Sequence, residues 1–282
     1  MEDKLSSKGW EHLILFIFPY FFIVGLFQYI ASFFLGIEKS LTTSLSLSQS
    51  TVFAFFGAIA SFSVIYIFIR FVDRRPLTDL GFRNQKIYCS VLIGLFTGFF
   101  ALAFGFLITL GLGQVKINTV NFSSSKILLS IILFAIIAFT EETLFRGYVL
   151  RNLMLSFRPY IGLLISALFF AIMHGFNPNI NLIGLVNLFL AGILLGIPYI
   201  FNKNLWFPIS LHFSWNFFQS LFGYNVSGQD SYSMIEFQKI EKNFINGGDF
   251  GFEGSIFSII IQMVLIVCLF KYFQRQGKTS QI

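Results

Sequence analysis

Apolar residues occur along the chain in long blocks separated by short polar connections. A helix needs roughly 20 apolar residues to cross a hydrocarbon core of about 30 Å, and eight segments reach or approach that length. They cover residues 13–36, 52–71, 88–112, 127–155, 159–175, 180–201, 205–222 and 255–273. Charged residues interrupt the fourth segment, and the fifth and seventh are short. We therefore predict an all-α fold: a polytopic membrane bundle of about eight transmembrane helices.

Composition supports this prediction. Of 282 residues, 56% are hydrophobic and only 11% are charged, whereas a soluble domain has about 25% charged residues. The 41 phenylalanines are more than a single core of this size can hold. These values exclude an ordinary cytosolic enzyme, a disordered regulator and a secreted disulfide scaffold. Because no internal repeat or low-complexity linker divides the chain, we expect one integral membrane domain over residues 1–282.

The basic residues predict an orientation in the membrane. The formal charge is +6, but no basic run is long enough to indicate a nucleic-acid partner. Basic residues are most frequent after the second segment, at Arg70, Arg74, Arg75, Arg83 and Lys86, and the opposite side carries fewer, among them Lys39. The positive-inside bias then places both termini in the cytoplasm. Low Arg with high Phe, Ile and Asn content favours a bacterial plasma membrane.

Two pairs of glycines have the spacing of close helix contacts. Gly94 and Gly98 lie four residues apart in the third segment, as do Gly192 and Gly196 in the sixth. Small residues at this spacing let helix backbones approach each other in membranes. We expect these glycines to pack helices and to take no part in chemistry.

Three charged residues lie in the interior of the fourth apolar segment, away from its ends: Glu141, Glu142 and Arg146. The carboxylates follow an apolar run that places them roughly 20 Å along the helix, where a charge costs about 2.5–3.5 kcal/mol. Glu142 and Arg146 are four residues apart and can form an ion pair on one face. Glu141 points about 100° away and is the freer carboxylate. The alternative is a buried ion cluster that only fixes helix packing.

The other unusual polar residues lie in two later segments. His174 ends the fifth segment, and His212 and Asn216 are four residues apart in the seventh, so their side chains share one face. Simple capping or a hydrogen bond between helices could explain each of them alone. Together, a carboxylate and a histidine can activate water, and a His/Asn pair can stabilise an oxyanion. The combination indicates hydrolysis of a peptide bond within the membrane.

These residues form three motifs in order: EExxxR at Glu141-Glu142 to Arg146, FxxxH from Phe170 to His174, and HxxxN from His212 to Asn216. The pattern resembles the CAAX protease and bacteriocin-processing family (the CPBP or Abi family), which includes the type II CAAX prenyl endopeptidases. The resemblance covers residues 127–222, which would be the catalytic core, and the eight-span layout also matches.

The resemblance implies a role for each motif residue. Glu141 and His174 would activate water, and His212 and Asn216 would stabilise the oxyanion. Glu142 and Arg146 would support them, and Phe170 would pack under His174. The family has been described both as metalloproteases and as glutamate-dependent hydrolases. Glu141, His174 and His212 are conceivable zinc ligands, but the HExxH pairing is missing, and we favour a site without a tightly bound metal cofactor.

We therefore expect an intramembrane endopeptidase that cuts a membrane-associated or lipidated peptide. Its partners would be the lipid bilayer and a membrane peptide, for example a prenylated protein tail or a bacteriocin leader. The alternatives are a non-catalytic immunity or scaffold protein of the same family, or a small transporter. This hypothesis sets one geometric condition. Glu141 lies near the middle of the fourth helix, and His174 lies late in the fifth, which runs in the opposite direction. The two side chains meet only if the fifth helix starts deep in the membrane or is tilted.

Overall fold

The computed structural model describes residues 8–37, 45–83 and 87–279. Within these residues the chain forms eight helical segments, which confirms the predicted all-α polytopic bundle. We number them α1 (Lys8–Phe34), α2 (Leu47–Val72), α3 (Ile87–Gly111), α4 (Ser124–Ser156), α5 (Pro159–Met173), α6 (Leu182–Asn202), α7 (Trp206–Leu221) and α8 (Ile256–Thr279).

Six of the described helices, namely α1, α2, α3, α4, α6 and α8, are long and apolar enough to cross a membrane. Helix α5 is apolar but has only 15 residues, and α7 has 16, as the short fifth and seventh segments predicted. Large apolar side chains cover the outside of the bundle; Phe18 and Phe33, for example, are 76% and 77% exposed. Such a surface is stable in lipid, so the chain is an integral multi-pass membrane protein.

The connections between helices alternate between two ends of the bundle. At one end, which we call the terminal face, the start of α1 meets the loops after α2, α4 and α6. His12 Nδ1 lies 2.5 Å from Asp73 Oδ1, and Leu205 N donates to the Gly81 carbonyl at 3.0 Å. Arg70 lies in the last turn of α2 at this end, and Arg74, Arg75 and Arg83 follow the helix. Lys86 and Lys39 lie outside the described residues, and the side of the membrane that the terminal face occupies stays a prediction.

The opposite end, the distal face, carries a small sheet that the apolar pattern did not predict. Strand β1 (Val115–Val120) follows α3 and pairs antiparallel with β2 (Ile235–Lys239), which follows α7. The pairing runs from Val115 opposite Lys239 to Val120 opposite Ile235, with an irregularity between Ile117 and Thr119. The sheet ties the loop after α3 to the long connection before α8.

Helix α7 packs on α3 through the first glycine pair. A Cβ added at Gly94 would lie 2.1 Å from Ser210 Oγ, and one at Gly98 would lie 2.7 Å from Ser214 Cβ. Ser214 Oγ also donates to the Leu95 carbonyl at 2.6 Å. This contact confirms the predicted close packing. It fixes the rotation of α7 and therefore the face on which His212 lies.

The second glycine pair joins α6 to α5 in the same way. A Cβ at Gly192 would lie 2.6 Å from Ala167 Cα, and one at Gly196 would lie 2.3 Å from Leu163 Cδ1. Both glycines therefore serve close packing, as predicted, and α5 is held in a fixed position before it ends at His174.

Helix α4 is not α-helical throughout. Residues Thr143–Leu150, directly after the two carboxylates, form wider π-helical turns, whereas the sequence predicted one unbroken span over 127–155. Such segments change which backbone carbonyls bond within the helix. Here the Phe145 carbonyl accepts a hydrogen bond from Ser166 Oγ of α5 at 3.2 Å, so the widened segment joins α4 to α5 beside the polar cluster.

Candidate active site

Glu141 and His174 meet because α4 and α5 form an antiparallel hairpin with unequal arms. Glu141 lies about 15 residues before the end of α4, and His174 follows the start of α5 by about the same number, so both are roughly 22 Å from the turn. Glu141 Oε2 lies 3.6 Å from His174 Nε2. The sequence predicted that the two residues meet only if the fifth helix starts deep in the membrane or is tilted. Instead, α5 starts where α4 ends, and because it has only 15 residues, its last turn lies level with Glu141.

Helix α7 reaches the same level because it starts inside the bundle. A Cβ at Gly147 would lie 3.3 Å from Leu205 Cδ1, so α7 begins beside the middle of the second half of α4. Less than two turns later, His212 Nδ1 lies 2.8 Å from Glu142 Oε1. The other ring nitrogen, Nε2, lies 4.0 Å from Glu141 Oε2. His212 therefore lies between the two carboxylates.

Glu142 is at the centre of a buried charge cluster. Its Oε1 accepts hydrogen bonds from Arg146 Nη1 at 2.8 Å and from His212 Nδ1 at 2.8 Å. Arg146 Nη2 also donates to the Gly192 carbonyl of α6 at 3.2 Å. Glu142 is 0% and Arg146 1% exposed, so the predicted ion pair is present and fully buried. It links α4, α6 and α7.

Glu141 has a different environment. Its side chain is 26% exposed, and its Oε2 accepts no hydrogen bond within the described part of the chain. The distances of 3.6 and 4.0 Å to His174 Nε2 and His212 Nε2 exceed direct hydrogen-bond lengths. Such separations are typical of polar groups bridged by one water molecule.

His174 is held by the last turn of α5. Its Nδ1 lies 2.8 Å from the Phe170 carbonyl, which can only accept, so Nδ1 carries the hydrogen. The Phe170 ring packs against the His174 ring with centroids 4.5 Å apart, as the FxxxH spacing predicted, and lies 4.7 Å from the Arg146 guanidinium. These contacts direct Nε2 towards Glu141.

Asn216 lies one turn beyond His212 on α7 and is 6% exposed. Its side chain makes no hydrogen bond to the described residues. It faces the same cavity as Glu141, His174 and His212. The structure therefore brings the four predicted side chains from three helices to one cavity.

The cavity has a volume of about 490 Å³ and mostly apolar walls from α1, α2, α4, α5, α6 and α7. Sequence reasoning missed several polar residues that line it. Asn187 of α6 accepts a hydrogen bond from Gln262 of α8 at 2.8 Å, and Tyr20 of α1 bonds Ser61 of α2 at 3.2 Å. The signal for Asn187 and Gln262 was available, because both are polar residues within apolar segments.

The proposed zinc ligands were tested against this geometry. Among residues 8–37, 45–83 and 87–279, no group of three or more His, Cys, Asp or Glu side chains is arranged to hold a metal ion. The Nδ1 atoms of His212 and His174 are engaged by Glu142 and by the Phe170 carbonyl, which leaves both Nε2 atoms facing Glu141. Histidines that bind metal through Nε2 have partners of the same kind, so Glu141, His174 and His212 are the residues that would hold a zinc ion. The steps below use only water and these side chains.

Part of the chain is similar to a known protein family. Residues 123–218, which are 96 of the 282 residues, match a family model described as Rce1-like: Type II CAAX prenyl endopeptidase Rce1-like. The matched segment runs from the loop before α4 into α7 and contains all three motifs. A search of curated proteins found no significant match.

Proposed function

We propose that this chain is a CAAX-type protease, an intramembrane endopeptidase that hydrolyses a peptide bond of a membrane-associated or lipidated substrate; the match of residues 123–218 to the type II CAAX prenyl endopeptidase model supports this. The observation that carries the proposal is the position of Glu141 Oε2, which faces two imidazole nitrogens in a cavity that Asn216 also lines. Residues 127–222 would be the catalytic core of a single membrane domain.

Glu141 and His174 would activate the attacking water. Because His174 Nδ1 donates to the Phe170 carbonyl, the neutral ring presents a lone pair on Nε2. A water molecule between Nε2 and Glu141 Oε2 donates one hydrogen to each, which leaves an oxygen lone pair for attack. As the water oxygen bonds to the peptide carbon, one of its protons passes to this pair and then to the leaving nitrogen. The C–N bond breaks in that second step.

His212 and Asn216 would stabilise the tetrahedral oxyanion. The Glu142 carboxylate accepts from His212 Nδ1 and fixes the ring with Nε2 towards the cavity. The form of the ring that donates to the oxyanion from Nε2 is the one that carries hydrogen on both nitrogens. The Asn216 amide supplies a second donor one turn further along α7. Donors fixed before the reaction stabilise developing charge without reorganisation. Glu142 and Arg146 act as positioning residues in this scheme.

The shape and lining of the cavity support the proposed class of substrate. Its volume lies within the range of about 300–1,000 Å³ typical of sites for small ligands, and its walls include Phe134, Leu188 and Trp215. An apolar chamber of this size suits a short peptide end with a lipid or apolar side chains. A prenylated CAAX tail, which the description of the matched family implies, and a bacteriocin leader are both of this class.

A cleavage assay on the purified full chain tests the proposal. The probe is a farnesylated, internally quenched peptide that ends in a CAAX sequence. We expect cleavage by the wild-type protein and a loss of about 10²–10⁴-fold in Glu141→Gln, the contribution of one general base. Full activity in Glu141→Gln would overturn the assignment. No cleavage by wild type, with a host protection phenotype that Glu141→Gln leaves intact, would favour the non-catalytic immunity protein.

We also propose that the terminal face is cytoplasmic and that the host membrane is a bacterial plasma membrane. Arg70 and Arg158 are exposed at this face, where basic residues are retained during membrane insertion. Labelling of single cysteines introduced at Arg158 and at Lys242 of the distal face, with an impermeant maleimide on intact cells, tests the orientation. Labelling at position 158 alone would reverse it.

A further inference from the structure

The catalytic cavity extends to the distal face of the bundle. Its wall there is the turn between Val226 and Gln229, together with Asp230 and Ser231. Gln229 and Asp230 are exposed, while Glu141 and the two histidines lie deeper among the helices. These rim residues therefore mark the end of the cavity where a peptide reaches it from water.

A buried carboxylate lies in this part of the wall. Glu253 belongs to the short turn Phe252–Gly254 before α8, lines the cavity, and is only 7% exposed. Its Oε2 accepts two hydrogen bonds from Ser227, one from the backbone N and one from Oγ, both at 2.8 Å. Glu253 thus has a fixed position beside the path to the catalytic residues.

The turns that hold Glu253 are tightly packed. Gly228 N donates to the Phe250 carbonyl at 2.8 Å, and a Cβ at Gly228 would lie 1.9 Å from the Pro178 carbonyl oxygen. The Asn225 side chain donates to the Asp249 carbonyl at 2.8 Å. The carboxylate is therefore presented by a preorganised wall, which lowers the cost of ordering a site when a ligand binds.

The wall of the cavity contains carboxylates but no Lys or Arg. Glu141, Asp230 and Glu253 line it together with His174 and His212, and none of its described lining residues is Lys or Arg. No ion pair within the described residues balances Glu253, in contrast to Glu142 with Arg146. A buried carboxylate without a cation is costly, and a cationic group of a ligand would offset that cost.

We infer that Glu253 is a specificity subsite for a basic group of the substrate, a Lys or Arg side chain or a free amine close to the cleaved bond. The inference rests on the proposed function and names the class of peptide that the site accepts: an apolar or lipidated segment that also carries a positive charge. Glu253 binds the substrate and takes no part in the chemical step, so its effect falls on affinity.

Two matched peptides test this inference. Both are farnesylated, internally quenched CAAX peptides; one has Lys two residues before the farnesylated cysteine, and the other has norleucine there, which keeps the chain length and removes the charge. Wild-type protein should cleave the Lys peptide with a kcat/KM about tenfold higher, the factor that one charge-assisted hydrogen bond supplies. In Glu253→Gln the two peptides should become equal, through KM with kcat unchanged.

Two controls separate specificity from folding. Gln at position 253 can still accept from Ser227, so the melting temperature should stay that of wild type. Asp230→Asn removes an exposed carboxylate, which solvent screens, and should change the preference less than twofold. Equal cleavage of both peptides by wild type, or a preference that Glu253→Gln leaves intact, would overturn the inference.

A binding measurement tests the Glu253 subsite separately from the proposed protease activity. In the Glu141→Gln background, fluorescence anisotropy with labelled versions of the two peptides gives Kd without turnover. A tenfold preference for the Lys peptide that disappears in Glu141→Gln/Glu253→Gln supports the subsite even if wild type cleaves neither peptide. Equal Kd values for both peptides overturn it even if wild type cleaves both.

Discussion

Two adjacent carboxylates on α4 have contrasting surroundings. Glu142 is fully buried, and its Oε1 bonds both Arg146 and His212 at 2.8 Å. Glu141, the preceding residue, is about a quarter exposed, and its Oε2 lies 3.6 Å or more from each of the two histidines. One carboxylate is engaged by neighbouring charges, and the other faces the cavity.

The contrast shows how the site combines rigidity with a free reactive group. The Glu142 cluster fixes three helices at the depth where the chemistry would occur, and Glu142 is 0% exposed, so it is shielded from water in the cavity. Glu141 is 26% exposed, and the two histidines face its Oε2 without direct hydrogen bonds, so Glu141 is the carboxylate that can bind water. Each prediction below alters one side of this contrast.

The largest expected effect is on the Glu142 side. Arg146→Met removes the guanidinium and leaves a buried carboxylate without its cation, so we expect a loss of about 3–5 kcal/mol of stability together with loss of cleavage. Thermal unfolding of the detergent-solubilised protein measures the loss of stability. Arg158→Met, which removes an exposed arginine, should leave stability within about 0.5 kcal/mol of wild type. Similar melting temperatures for the two variants would contradict the buried-cluster interpretation.

On the Glu141 side, Asn216→Ala removes one oxyanion donor. We expect kcat for the farnesylated peptide to fall by about 10²–10³-fold with KM little changed, because the donor acts mainly on the transition state. The matched variant is Asn177→Ala, which removes an amide that also lines the cavity and should change kcat less than twofold. A rise in KM alone in Asn216→Ala would make Asn216 a substrate-binding residue.

A smaller effect is expected from a change in the packing of α3 on α7, which positions His212 beside both carboxylates. Gly98→Ala places a Cβ 2.7 Å from Ser214 Cβ, so α7 must shift, at a cost of about 1–3 kcal/mol. The shift would displace His212 and lower turnover as well. Gly111→Ala adds a methyl group on the same helix where nothing lies within 4 Å, and should be neutral. Equal melting temperatures for the two variants would show that the α3–α7 contact is loose.

The smallest expected effect is that of chelation. Because the proposed steps use only water and side chains, incubation with EDTA or phenanthroline followed by desalting should change kcat/KM less than twofold. Metal analysis of the same sample is the control. A tenfold loss that Zn²⁺ restores would show that a metal is required and would change the role given to Glu141.

The sequence was sufficient for the helices and for the residues that converge. Long apolar segments predict spans because lipid leaves the backbone no other bonding partners. The charges at Glu141, Glu142 and Arg146 stand out because that environment penalises them. The glycine pairs at Gly94 and Gly192 were recognisable for a related reason, since only small residues let the helices approach.

Other features depend on tertiary contacts that a linear pattern does not encode. The π-helical turns cover only the eight residues Thr143–Leu150. A segment this short does not show a periodicity in sequence that differs from that of an α-helix. The strands β1 and β2 are short and lie in loops far apart in the chain. In the sequence, Glu253 cannot be distinguished from other acidic residues in loops, because only the fold buries it in the cavity wall. The distance between Glu141 and His174 depends on where α5 begins, which the apolar pattern does not fix.

The most direct test compares the two carboxylates in one experiment: kcat/KM on the farnesylated peptide and the melting temperature, for Glu141→Gln and Glu142→Gln. The account predicts that Glu141→Gln loses about 10²–10⁴-fold in kcat/KM with an unchanged melting temperature. Glu142→Gln should lose stability as well as activity, because it weakens the bonds to Arg146 and His212. Activity retained in Glu141→Gln, or a melting temperature that falls equally in both variants, would contradict it.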